Sequence, residues 1–491
     1  MQFSDEQIAI IEAYNTHTDN LIVNACPGSG KTTLLEQLWR ENNAATLAIA
    51  FNVSIVKELQ ARLPQRSNSG RKTLNSFGHG LCLKHINSKL KLDKFKVSNI
   101  IRATHSHKWN ERDEAIRRYD LTTLVAHLKN IGLAPNLIDN GLIKEVMYQY
   151  DIDTFPDIEE CAIDVYKRSL HDTRTIDFAD QLLFPVLYNV TVPEFDNVLV
   201  DEAQDLNNVQ IELLNKLHSR FVFVGDRHQS IYAFSGSLPS AMEDISTSFN
   251  CTNYPMTLSY RCPLTVVREA QRYYPDDIRC TASALEGRIS TLTLTPEGLY
   301  TDGSLGAVKW LQDDLILCRQ NRPLVDMAYS LLRNNIPCYV RGRDIGENLI
   351  RYIKRFKQDD ISPLLDAINR DIDTSIALAS KREDDDKIAA LIDKQKTLEA
   401  FIDNIQPVDT SQLCEGIAAL FKQGRGTQLS TIHKAKGLEA DRVFILDPVL
   451  LAQKRKGQKP YQTIQENNIA YVAVTRAKDT LYYFNAPKEG R

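Results

Sequence analysis

The chain has 491 residues, 43% of them hydrophobic and 25% charged, with 59 Lys and Arg set against 63 Asp and Glu for a formal net charge of −4. That is material for about three folded domains, and it excludes a disordered or collagen-like chain. The balanced charge excludes a bulk basic field, so nucleic acid would have to be held in a local groove rather than over the whole surface.

Nine cysteines are scattered without a CxxC pair or a histidine at ligand spacing, which predicts reduced thiols in an intracellular protein. The N-terminal residues lack a basic segment followed by an apolar one, and no stretch approaches a membrane span in length, so no membrane partner is expected. At the start of the chain, Ser4 and Gln7 have capping-box spacing ahead of a helix. A side-chain amide offers a donor and an acceptor at once, so Gln7 is also a candidate to read an adenine edge.

The apolar run Leu21-Ile22-Val23 then feeds Ala25-Cys26-Pro27-Gly28-Ser29-Gly30-Lys31-Thr32-Thr33. This has the G-x-x-x-x-G-K-[ST] form of a phosphate-binding loop, with Ala25 in place of the first glycine. Helical spacing follows it through Leu34, Leu35 and Leu38, so the strand–loop–helix context is present as well as the letters. Gly28 and Gly30 let backbone N–H groups face phosphate oxygens at a helix N-terminus. Lys31 would reach the β- and γ-phosphates of ATP, and the Thr32 hydroxyl would ligate Mg²⁺.

A second buried strand is predicted over Ala45–Phe51, ending in Phe51-Asn52. The segment Arg71-Lys72-Thr73-Leu74-Asn75-Ser76-Phe77 mixes basic, amide and aromatic groups of the kind that hold a single strand. From about His85 to Tyr166 the chain turns polar and helical, reading as an insertion. Within it His105 and His107 have no matching Cys or carboxylate signature and read as part of a solvated face rather than a metal site. The α/β pattern resumes near Thr175, and Asn197-Val198-Leu199-Val200 runs into Asp201-Glu202. Acids at the end of an apolar strand suit Mg²⁺ held by Asp201 and an attacking water deprotonated by Glu202. One strand later, Gly225-Asp226 leads into Gln229, a candidate γ-phosphate sensor, and into Tyr232 and Phe234, which offer stacking faces.

Three later segments make the pattern specific: Leu258-Ser259-Tyr260-Arg261-Cys262-Pro263, Thr431-Ile432-His433-Lys434-Ala435-Lys436-Gly437-Leu438-Glu439, and Ala470-Tyr471-Val472-Ala473-Val474-Thr475-Arg476-Ala477. With the earlier motifs, and in this order, they resemble a superfamily 1A DNA helicase of the UvrD/Rep type, in a short-insertion form similar to phage-type and F-box DNA helicase relatives. The resemblance implies an α/β fold of two RecA-like cores with parallel sheets, each interrupted by a mainly helical insertion, and ATP sandwiched between the cores. The expected domains are 1–86 with 167–250 as the first core, 87–166 as its insertion, 251–344 with 425–491 as the second core, and 345–424 as a small helical insertion. The charged run from Lys381 to Lys387 reads as a solvated helix or turn inside the last of these.

By the same resemblance Gln7 and Tyr260 hold adenine, Glu439 the ribose, and Arg261 and Arg476 the γ-phosphate. Phe51, Asn52, Asn75, Phe77, Tyr232, Phe234, Thr431 and His433 would line the single-strand groove. Three positions depart from the family pattern: Asn75 where His is common, Ser235 where Arg is usual, and Ala440 in place of an aromatic. The implied activity is an ATP- and Mg²⁺-dependent DNA helicase or translocase that moves 3′ to 5′ on single-stranded DNA in replication, recombination or repair. Single-strand/duplex junctions are the expected substrate, and replication or repair proteins the expected partners. The implied location is cytoplasmic (nucleoid or host cytoplasm for a bacterial or phage protein, nuclear for a eukaryotic one). The alternative is a DNA-stimulated ATPase that strips proteins from single strands with little duplex unwinding.

Overall fold

Short runs of continuously apolar residues, too short for helices, alternate with helical stretches in both halves of the chain and form parallel strands buried on both faces. The computed structural model describes residues 3–41, 43–50, 53–109, 111–150, 152, 155–231, 241–294, 300–301, 307–382, 384–422, 424–451 and 460–485. It divides into two units, Met1–Leu258 and Ser259–Arg491. Among the described residues no helix is long and apolar enough to cross a membrane. None of the nine cysteines, all among the described residues, is in a disulfide.

In the first unit the strands are β1 (Asn20–Ala25), β2 (Thr46–Ile49), β3 (Gly70–Lys72), β4 (Lys91–Leu92), β5 (Thr175–Ile176), β6 (Asn197–Val200), β7 (Arg220–Gly225) and β8 (Cys251–Met256). Six of them form one parallel sheet in the order β3-β2-β6-β7-β1-β8. Register brings Asn24 of β1 level with Gly225 of β7, and Ile49 of β2 level with Val200 of β6. Because all six run the same way, the loops that follow β1, β6 and β7 emerge at one edge, where open parallel sheets bind ligands. Strand β8 pairs with β1 over six residues. The expected first core ended at residue 250. The sheet instead takes in 251–256, since β1 would otherwise leave one edge of its backbone unpaired.

The helices of this unit begin with α1 (Asp5–Thr16), α2 (Lys31–Glu41), α3 (Val53–Arg62) and α4 (Leu74–His85). Next come α5 (Lys96–Thr104), α6 (Glu111–Ile131), α7 (Asn140–Gln149) and α8 (Ile158–His171), bracketed by the parallel pair β4–β5, and then α9 (Asp180–Leu187). Leu121, Leu124, Val125 and Leu128 lie on one stripe of α6 and meet Ile143, Val146, Ile158 and Val165 in an apolar cluster separate from the sheet's own. Each such side chain removed from water contributes about 1.5–3 kcal/mol, so these helices sustain a core of their own. At its seam, Lys96 and Lys129 are buried with Asp180, and Asp177 lies beside them. His105, expected on a solvated face, is buried as well. Its Nε2 lies 3.0 Å from Asp164 Oδ2, its Nδ1 lies 3.5 Å from Cys161 Sγ, and burial pulls its pKa down. A histidine with a carboxylate partner can be buried without an unsatisfied ring nitrogen.

The second unit carries another six-stranded parallel sheet. Its spatial order is Arg288–Thr291, Ala477–Phe484, Ala440–Leu446, Leu315–Cys318, Thr427–Thr431 and Cys338–Arg341. Helices Ile361–Lys381, Asp385–Ile405 and Thr410–Leu420 occupy the expected small insertion. Leu364, Ile368, Ile372, Leu398 and Phe401 of these helices share one apolar cluster with Ile316, Leu324 and Leu429 of the sheet layer. Unlike the first insertion, this one has no separate core and packs as an added layer. Lys381 and Arg382 are exposed at the turn between its two long helices, as the charged run predicted.

Candidate functional site

Strand β1 delivers the phosphate loop, and the loop's backbone explains its sequence. Ala25 is the last residue of β1, paired with Met256 and extended, so a side chain is tolerated where the motif has its first glycine. Gly28 and Gly30 have φ of 73° and 86°, the left-handed region that favours glycine. Cys26 is buried, and its N–H donates to Met256 O at 2.9 Å, tying the loop to β8. Ser29 Oγ donates to Cys26 O at 2.8 Å and closes the loop on itself. Helix α2 then opens at Lys31, with Thr32 and Thr33 in its first turn.

Lys31 faces the acids of the neighbouring strand ends. Burial pulls its ammonium down, but the carboxylates of Glu202, Asp226 and Asp201 together hold it above the usual lysine range. Asp201 is buried and its Oδ1 accepts the Glu202 N–H at 2.9 Å. Glu202 sits at φ 51°, ψ 44°, a left-handed conformation that costs a residue with a Cβ about 1–2 kcal/mol and turns the chain sharply off β6. Gln229 is buried and donates from Nε2 to Asp226 Oδ2 at 2.8 Å.

Gln7 lies against this loop. Its Oε1 accepts the Ser4 N–H at 3.0 Å, its own N–H donates to Ser4 Oγ at 3.2 Å, and its Nε2 donates to Ser29 O at 3.2 Å. The capping box is therefore formed, and the amide braces the loop with one of its two acceptor sites and one of its two donors.

On the second unit, Tyr260 is 52% exposed. Arg261 pairs with Glu439 at 2.6 Å, and Lys478 approaches the same carboxylate at 3.8 Å. Arg476 is buried: its Nε donates to Val472 O at 2.9 Å, and its two terminal nitrogens donate to Leu438 O and Thr475 Oγ1 at 3.2 and 3.3 Å. Thr431 is buried at the end of its strand. For His433, burial first, and then the Arg319 and Lys434 cations, hold the pKa down at about 3, so the imidazole is neutral at physiological pH.

The candidate groove residues divide. Phe51, Asn52, Tyr232 and Phe234 lie outside the described residues. Asn75, on α4, donates from Nδ2 to Phe178 O at 2.7 Å and to Gln181 Oε1 at 3.1 Å. Phe77 is corrected: it is 3% exposed within the sheet's apolar cluster and packs near Phe195, so its ring offers no face to a base. The period of α4 turns residue 77 inward, two positions on from Asn75. Phe178, which residue-type reasoning passed over, is 57% exposed beside Asn75. An aromatic between Asp177 and Ala179, off the apolar period of α9, was the available signal.

Charge tests the fit of Mg²⁺. Three carboxylates against one lysine leave two negative charges at the sheet edge, in a set of hard oxygen donors. Among the described residues no group of three or more His, Cys, Asp or Glu could hold a metal by itself.

Comparison with known proteins agrees with this geometry. A family model for the UvrD/REP helicase N-terminal domain matches residues 4–250, and one for the UvrD-like helicase C-terminal domain matches residues 347–486. A probable DNA helicase II homolog of Mycoplasma genitalium is 22% identical, with 94% of this chain and 82% of that one aligned. DNA helicase II of Rickettsia typhi is 21% identical over 96% and 90% of the two chains. The F-box DNA helicase protein 1 of Schizosaccharomyces pombe is 25% identical over 97% of this chain but 57% of its own length. Since the two models fall on the two units that carry the phosphate loop and the arginine motifs, the chain belongs to the UvrD/Rep helicase family and is an ATP-dependent DNA helicase.

Proposed function

We propose that this helicase moves 3′ to 5′ along single-stranded DNA and acts at single-strand/duplex junctions in replication, recombination or repair, in the cytoplasm or nucleoid and alongside other replication or repair proteins. The nucleotide half of the proposal rests on one observation: Lys31 held among Asp201, Glu202 and Asp226 at the ligand-binding edge of a parallel sheet. In it Lys31 binds the β- and γ-phosphates and Glu202 takes the proton of the attacking water. Gln229 contacts the γ-phosphate. Thr32 and Asp201 are the residues that would hold Mg²⁺, which supplies charge neutralisation on the phosphate oxygens when bound. Tyr260 stacks on adenine, with Gln7 and Glu439 contacting base and ribose.

Arg261 and Arg476 are proposed to stabilise the charge that develops in phosphoryl transfer. Each has acceptors within its own unit that hold the guanidinium in place. The strand track comprises Phe51, Asn52, Asn75, Tyr232, Phe234, Thr431 and His433, with Phe178 added and Phe77 withdrawn.

The test is steady-state ATP hydrolysis with and without single-stranded DNA, on wild type and Arg476→Ala, followed by strand displacement on duplexes with 3′ or 5′ tails. DNA stimulation that vanishes in the variant, with displacement from the 3′ tail only, is the expected result. A DNA-indifferent rate refutes the translocase. Stimulated turnover that displaces bound protein from a single strand but leaves duplex intact selects the stripping alternative.

A further inference from the structure

The turn after β6 returns a wholly buried glutamine beneath the proposed base. Gln204 Nε2 donates to Glu202 Oε2 at 2.7 Å, and Gln204 Oε1 accepts the Asp226 N–H at 3.0 Å. The amide's orientation follows from its neighbours: a backbone N–H can only donate, and an ionised carboxylate can only accept. Beyond it, Asp226 Oδ1 accepts the His228 N–H at 3.0 Å and Oδ2 accepts Gln229 Nε2 at 2.8 Å. A continuous chain of hydrogen bonds thus runs from Glu202 through Gln204 and Asp226 to Gln229.

Space around it is closed. A Cβ on Gly225 would lie 2.5 Å from Gln204 Oε1 and 2.9 Å from Met242 Sδ, so only glycine lets the β7 end approach this closely. The chemistry of the link matters too. Lys31 already faces Glu202 with a positive charge, and the neutral amide adds a restraint on the carboxylate's direction without adding charge.

We propose that Gln204 is a positioning residue for ATP hydrolysis: it aims the Glu202 carboxylate and makes that aim depend on the Asp226–Gln229 turn. This rests on Glu202 being the base. Any shift of the turn that alters how Gln229 meets the γ-phosphate is then transmitted to the base through two hydrogen bonds.

Two substitutions separate the arms of the link. Gln204→Met keeps the volume and removes both bonds. Gln204→Glu keeps the acceptor for the Asp226 N–H, and with it the turn, but cannot donate to Glu202 when ionised. Full-length protein is assayed with saturating oligo(dT) for kcat and KM, with a fluorescent ATP analogue for nucleotide affinity, and by thermal melting. Both variants should lose about tenfold to a hundredfold in kcat, part of the ~10²–10⁴ a general base supplies, with KM and analogue affinity within about threefold of wild type. A Gln204→Glu protein whose kcat stays within about twofold of wild type from pH 6 to pH 9 overturns the proposal, since a proton shared by the two carboxyls restores the donor only at the low end. So does a fall in analogue affinity and melting temperature that matches the fall in kcat, the mark of a merely structural residue. If Gln204→Met folds poorly, Gln204→Glu decides alone. Glu202→Gln in the same assay distinguishes the two levels. Normal hydrolysis there removes the base assignment, whereas a dead Glu202→Gln beside active Gln204 variants removes only the link.

Discussion

Lys129→Met would leave the buried Asp180 and the partly buried Asp177 with one cation in place of two. Lys129 Nζ lies 2.6 Å from Asp177 Oδ2 and 2.6 Å from Asp180 Oδ1, while Lys96 Nζ holds Asp180 Oδ2 at 2.8 Å. Lys96 spends its other donors on Asp172 O and Thr175 O, at 2.9 and 2.8 Å, and so has none left to replace Lys129. Burial already raises the Asp180 pKa above its ordinary 3.8, ahead of the lowering by Lys129, and burial likewise pulls Lys96 down. Methionine keeps the apolar stem, so the loss is electrostatic.

Leaving a buried ion without its partner costs about 3–5 kcal/mol. The native state can escape only by protonating Asp180, which from an ordinary value of 3.8 costs about 4.4 kcal/mol at pH 7 and about 1.6 kcal/mol at pH 5. The variant should therefore be about 3–4 kcal/mol less stable at pH 7 and no more than about 2 kcal/mol less stable at pH 5. For the transition of a unit this size, the pH 7 loss is a drop of about 6–16 °C in melting temperature. Asp177→Asn added to Lys129→Met should recover part of it, because Lys96 and Asp180 are then left as a matched pair and the amide oxygen can still accept the Asp180 N–H. Urea and thermal unfolding of the first-unit transition, read at both pH values, measures this. A loss under about 1 kcal/mol at pH 7, or one independent of pH, would refute the reasoning.

Lys31→Ala should cut ATP turnover by at least about a hundredfold, as three carboxylates lose their cation and phosphate loses its own, while single-strand affinity stays within about threefold; unimpaired turnover removes the nucleotide site. Phe178→Ala should weaken oligo(dT) binding by about 1–3 kcal/mol in fluorescence anisotropy if a base stacks there, and unchanged binding returns Phe178 to an incidental exposure. His433 has a folded pKa of about 3 against an ordinary 6.5, so the folded state resists its protonation. Its contribution to stability is complete above pH 6.5 and is lost as pH falls from 6.5 toward 3. His433→Gln should flatten that part of the urea midpoint–pH curve and leave the pH 6–8 dependence of DNA affinity unchanged. A His433-dependent change in affinity between pH 6 and 8 would show that the ring titrates on the strand.

What residue order determined here is what depends on local chemistry. The phosphate loop, its strand and helix, Asp201-Glu202 and the arginine motifs each need particular side chains at particular backbone steps, and those steps are written in consecutive letters. The alternation of short apolar runs with helical periods marked an α/β chain, and the resemblance carried by the motifs implied two parallel sheets. Tertiary packing decided what rests on neighbours far along the chain. Strand β8 joined the first sheet along the edge of β1 that β7 leaves open. The helices of the second insertion fused with its sheet through Leu364, Ile372 and Phe401, and those of the first made a core of their own around Leu124 and Val125. Phe77 and Phe178 show the limit most plainly, since both are aromatic and both neighbour Asn75. Which of them faces solvent was settled by helix phase and by the contacts of α4 with α9, and a side chain's type carries no record of either.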